Sequence, residues 1–180
     1  MKKIISLILV LVTALSMGTV AFAESTTTLT TTVPDATYTL NVPANQKIDF
    51  GKTEVNIGNV TVSDSNGFAV GKNLKVTITY DAFTSTSVNT TIPFEIKNYY
   101  FYSMSTNADF NRYKTISSGD AIVFPGQATG KVTETAPYPE NTTHIMEAMY
   151  VVTKSEDWGK ALGGDYTATI TFTTEVVAEA

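Results

Sequence analysis

Few side chains in this chain are of a type that moves protons or holds metals, and their spacing suits neither task. His144 is the only histidine among 180 residues and stands in the polar run ENTTH. A serine hydrolase would set it beside an activated nucleophile, but no G-x-S-x-G elbow is present, so His144 reads as a surface residue. Glu156 and Asp157 are neighbouring carboxylates. Glycoside hydrolysis needs two carboxyl groups facing one gap from separate elements, and adjacent acids read instead as a solvated turn. Asp64-Ser65-Asn66-Gly67 offers calcium-like oxygen ligands without the remaining EF-hand spacing, and a tight hairpin turn accounts for it. The chain has no cysteine, which excludes thiol catalysis and thiolate metal sites. No catalytic residue, metal ligand or cofactor is assigned, and the expected protein is not an enzyme.

The aromatic run Tyr99-Tyr100-Phe101-Tyr102 is a different kind of candidate. On a strand, successive side chains alternate between faces, so two of the four point each way. An outward pair can stack on sugar rings or contact another protein; the alternative is that loops cover both faces. With Tyr99 and Phe101 in the core, Tyr100 and Tyr102 point outward and, with Tyr113, make the candidate ligand-binding set. Either pair satisfies the alternation. Trp158, beside Gly159, reads as a plug under a loop.

The elements that position these residues are strands. In GDYTATITFTTEVV, Tyr166, Ala168, Ile170, Phe172 and Val176 fall on one side of an alternating pattern, and Thr167, Thr169, Thr171, Thr173 and Glu175 on the other. Such a strand buries half its side chains and belongs to an antiparallel sheet with one wet face. Shorter alternations recur at Tyr38, Leu40 and Val42; at Ile48 and Phe50; at Val60 and Val62; at Leu74, Val76, Ile78 and Tyr80; at Ile92, Phe94 and Ile96; and at Met146, Ala148, Tyr150 and Val152. Pro93 cannot donate to a ladder, so its strand is at an edge or a bulge. SEDWGKALGG is a short helical or turn insert, and ESTTTLTTT is a stalk or a peripheral strand. Helical periodicity persists nowhere after the N-terminal segment. The pattern predicts an all-β fold, a single antiparallel β-sandwich of Ig-like or Greek-key type with roughly seven to nine strands and the last strand inside a sheet.

MKK, an apolar run from Ile4 to about Met17, and Ala21-Phe22-Ala23 have the form of a secretory signal peptide. Residues 1–23 are expected to be removed, leaving 24–180 as one domain. Without Lys2 and Lys3 that domain has ten basic and 17 acidic residues, a net charge of −7. This balance argues against nucleic acid and anionic membranes as partners, and no membrane insertion of the mature chain is expected. A cysteine-free exported protein points to a cell that exports without dedicated disulfide chemistry, hence a Gram-positive bacterium.

Three stretches, IDFGKTEVNIGNVTV (Ile48 to Val62), GFAVGKNLKVTITYDAF (Gly67 to Phe83) and DWGKALGGDYTATITFTTEV (Asp157 to Val176), together resemble secreted Gram-positive surface β-sandwiches, including WxL-type wall-associated domains and, more distantly, pilin-like and spore-coat sandwiches. The chain lacks a Trp-x-Leu pair, and its final strand has no Asn for a pilin-type isopeptide bond. The resemblance therefore implies a surface role without a site. The expected function is non-enzymatic: a secreted or cell-surface protein in adhesion or surface structure, or alternatively a carbohydrate-binding module using exposed tyrosines. Its partners would be a cell-wall or host glycan, or another surface protein.

Overall fold

A computed structural model describes Thr30 and residues 35–102, 112–138 and 141–179; the side chains of residues 100–102, 112, 138, 141–145 and 147 are not included. The chain divides into two units, Met1–Thr32 and Val33–Ala180, and the second carries the strands described below. Expectations for residues 1–29, the signal peptide and most of the threonine-rich stretch, lie outside the described residues.

The strands are β1 (Thr37–Asn41), β2 (Glu54–Gly58), β3 (Thr61–Asn66), β4 (Lys72–Tyr80), β5 (Phe83–Thr84), β6 (Thr91–Ile92), β7 (Glu95–Tyr102), β8 (Arg112–Ile116), β9 (Ala121–Phe124), β10 (Pro137–Tyr138), β11 (Asn141–Val152) and β12 (Ile170–Ala178). One short helix, α1 (Ser155–Lys160), precedes β12. Among the described residues all pairings are antiparallel, and no sheet closes on itself. One sheet runs β12-β4-β9; a second runs β10-β11-β7-β8, with β2 also paired to β11; β1-β3 and β5-β6 form two-stranded ribbons.

Alternation in β4 explains the core. Leu74, Val76 and Ile78 are fully buried, while Lys75 and Thr77, pointing the other way, stay partly wet. The same cluster takes Phe124 from β9, Ile96 from β7, Met146, Met149 and Val151 from β11, and Val60 and Val62 at β3. Both larger sheets thus contribute to one core, the arrangement that lets a half-apolar strand hide its greasy side.

Several expectations are corrected. Asp64-Ser65-Asn66-Gly67 is not a hairpin turn: β3 runs through Asn66, and Asp64 adopts φ 53° where two β3 residues oppose one on β1, between the pairs Thr37–Asn66 and Thr39–Ser63. This is a β-bulge, and a short polar residue tolerates the left-handed conformation it requires. Ile48 and Phe50 form no strand, and Phe50 is 78% exposed. Pro93 lies between β6 and β7, outside both, and has no N–H to give to a ladder. The last strand is not interior: among the described residues β12 pairs only with β4, over nine partners from Ile170–Tyr80 to Ala178–Lys72. The interior place in that sheet belongs to β4, whose apolar side chains are the more deeply buried. Ile170, Phe172 and Val177 are half-buried, and Val176, at the rim of the inner face beside Leu74, is 42% exposed.

A second bulge changes the meaning of the Met146 run. Met146 pairs with Tyr100 but Ala148 pairs with Tyr99, so Glu147 is an extra residue on β11. The alternation shifts there, and Met149 and Val151 join the core while Tyr150 turns outward.

Candidate functional site

The second sheet has an inner face set by Ile96 and the fully buried Asn98 of β7, by Ile116 of β8 and by Met149 and Val151 of β11. Strand geometry then puts Lys97 and Tyr99, Tyr113 and Thr115, and Tyr150 on the opposite face. Register completes the surface: Tyr99 lies opposite Tyr113, Lys97 opposite Thr115 and Tyr150, and Tyr150 opposite Asn56. Glu54 and Glu95 both pair with Val152 and flank it on either side.

Tyr113 is the centre of this surface. Its ring centroid is 5.2 Å from that of Tyr99, tilted by 54°, and 5.8 Å from that of Tyr150, at 72°. Because β7 lies between β8 and β11, a β8 side chain that touches Tyr150 must extend across β7. Tyr113 remains 51% exposed, while Tyr99 and Tyr150 are half-buried. The Asn56 amide donates to the Tyr150 hydroxyl at 3.4 Å, and the Asn56 Oδ1 accepts from the Gly58 N–H at 2.8 Å. The Tyr113 phenol is held above its ordinary value of 10.0, first by desolvation and then by the Glu54 carboxylate, Tyr150 and Tyr99. The surface therefore offers aromatic faces, an acceptor-only carboxylate, an amide that both donates and accepts, and the Lys97 ammonium.

This arrangement revises the expected site. Tyr113, of the expected set, is exposed. Tyr99, placed inside as one of two alternatives, is outside, because Ile96 and Asn98 occupy the inner positions of β7. Tyr100 and Tyr102 belong to β7 by backbone pairing with Met146 and His144, but their side chains lie outside the described residues, as does that of His144. Tyr150 is not in the expected set, since its apparent alternation with Met146 and Ala148 assigns it to the core. The available signal was the second alternation, Met149 with Val151, which competes with the first.

The remaining candidates have local structural roles. Glu156 and Asp157 sit in the first turn of α1, where acids favour the helix dipole, and Asp157 pairs with Lys160 at 3.8 Å. Trp158 is buried, donates its indole N–H to the Lys52 carbonyl at 2.9 Å and meets Phe50 edge-on at 5.4 Å. Among the described residues, no group of three His, Cys, Asp or Glu side chains is arranged to hold a metal ion, and no helix is long and apolar enough to cross a membrane. No protein-family model, curated protein or solved structure matches the chain.

Proposed function

We propose that the protein is a non-enzymatic, secreted or cell-surface β-sandwich of Ig-like or Greek-key type, acting in adhesion or in a surface layer, and that it makes its contact through the tyrosine face. The observation that carries this reading is the Tyr99-Tyr113-Tyr150 cluster, centred on a half-exposed Tyr113 and built on paired strands. Aromatic side chains of this kind supply contact area at little entropic cost, and rigid strands hold them in place. The sandwich is supported by one core shared between the two larger sheets, and export by the basic, apolar and Ala-Phe-Ala segments of residues 1–23. A cysteine-free, acidic mature chain suits an exported protein that stays soluble through charge repulsion.

The test is adhesion of purified residues 24–180 to intact Gram-positive cells, isolated walls and host-type glycoprotein surfaces. Binding is expected, and Tyr113→Ala combined with Tyr150→Ala is expected to abolish it, while Thr171→Ala on β12 leaves it unchanged. A folded protein that adheres to none of these surfaces, or a double variant that adheres as well as the parent, removes the reading.

A further inference from the structure

The geometry points to a ligand class: we propose that the tyrosine face binds a single, soluble, neutral sugar chain, with one pyranose ring seated against Tyr113 and hydroxyl groups taken by Glu54 and Asn56. This rests on the reading of that face as the contact surface and deepens it.

Ring geometry decides between a flat ligand and a single chain. Rings that are to lie together on an extended flat surface must be nearly coplanar, but Tyr113 is inclined 54° to Tyr99 and 72° to Tyr150. Rings so inclined share no common plane, and of the three only Tyr113 is mainly exposed, which suits one sugar ring better than a crystalline sheet of them. The axial C–H bonds of a pyranose are apolar and slightly positive, and the face of a tyrosine ring is negative, so the two attract beyond simple burial.

Polar groups at the rim match the edge of the same ligand. The equatorial hydroxyls of a sugar must keep hydrogen-bond partners when water leaves, or the lost bonds cancel the stacking. Glu54, two residues from Asn56 on β2 and so on the same face, is an acceptor, and Asn56, bonded to the Tyr150 hydroxyl, can donate and accept.

Charge and hydrophobicity argue against other occupants. Among the described side chains Glu54 and Glu95 outnumber Lys97 on this face, and the whole mature chain is acidic, a balance that disfavours polyphosphates and uronate polymers. A broad protein interface would need more apolar surface; among the described residues of β2, β7, β8 and β11, Tyr113 is the only large hydrophobic side chain that is mainly exposed.

The experiment is calorimetric titration of residues 24–180 with soluble neutral oligosaccharides of glucose, mannose, galactose and N-acetylglucosamine, with polygalacturonate and wall teichoic acid, and with insoluble cellulose and chitin. At least one soluble neutral series is expected to bind, shifting the ring resonances of Tyr99, Tyr113 and Tyr150 in the unmutated protein. Tyr113→Ala should weaken that binding by about tenfold or more, Tyr113→Phe by no more than about threefold, and Glu54→Gln by about tenfold. Binding only by the anionic polymers or only by the insoluble ones overturns the proposal. So does binding that Tyr113→Ala leaves intact or that moves other resonances, and so does binding by no member of the panel. If surface adhesion is lost in the tyrosine double variant while no neutral sugar binds, the sugar assignment falls and the contact face stands; if adhesion is absent altogether, both fall.

Discussion

The hydroxyl of Tyr38 donates to Oγ1 of Thr174 at 2.8 Å, tying the first described strand to the last across 136 residues of sequence. Thr174 occupies an inner-face position of β12, opposite Val76, where the alternation of Ile170 and Phe172 calls for an apolar residue. Its polarity is accounted for by Tyr38, whose ring also packs 6.1 Å from that of Phe68. Tyr38→Phe keeps the ring and deletes the bond, leaving a part-buried hydroxyl without its partner. The expected loss is about 0.5–1.5 kcal/mol, measured as a lower urea midpoint at unchanged m-value.

Removal of residues 166–180 is expected to give a chain that is unfolded or aggregated. Nine backbone pairings with β4 are lost, and the inner face of a nine-residue strand that carries Leu74, Val76 and Ile78 is opened to water. Each large apolar side chain uncovered costs roughly 1.5–3 kcal/mol, so several together equal the stability of a typical domain. Size-exclusion chromatography and circular dichroism provide the check; a soluble, folded monomer that binds a synthetic 164–177 peptide would instead indicate that this strand can be donated between molecules.

Gly126→Ala is expected to be among the most harmful small substitutions. A Cβ there would overlap the backbone carbonyl oxygen of Lys72, which cannot swing aside as a side chain would. The Gly126 N–H also donates to Asn73 Oδ1 at 2.9 Å, so moving the backbone to relieve the clash breaks that bond. The cost should reach the upper end of the roughly 1–3 kcal/mol typical of overpacking. Gly163→Ala, with open space around its Cβ, is the control and should change the thermal midpoint little.

Stability should fall in alkali through Tyr80. Its hydroxyl donates to the Ile116 carbonyl at 2.7 Å, and burial holds the phenol above its ordinary 10.0, opposed by the Ile96 N–H and reinforced by Glu95 and Asp120. A folded-state pKa above the unfolded one means that the native protein holds the proton more tightly. This contribution is fully present below pH 10 and disappears as the pH rises through the folded-state value. Tyr80→Phe should lower stability at neutral pH yet flatten its decline above pH 10, as followed by urea unfolding at a series of alkaline pH values. An alkaline slope equal to that of the parent would remove Tyr80 as its source.

The local alternation in Leu74–Tyr80 and in Ile170–Val177 was enough to identify two strands and to say which side of each is apolar, because side-chain direction along a strand follows from the backbone of that strand alone. The absence of cysteine and the scarcity of proton-moving groups were equally plain from the residues. What needed the tertiary structure is everything that depends on a neighbour. The extra residue at Glu147 reverses the phase of β11 and brings Tyr150 out, and a bulge is defined only against the strand it pairs with. The phase of β7, which places Tyr99 outside, is set by Ile96 and Asn98 entering a core assembled from distant segments. The crossing of β7 by Tyr113 and the capping of Thr174 by Tyr38 likewise join residues far apart in the chain. Periodicity reports how a strand faces its surroundings, whereas pairing order and register decide what those surroundings are.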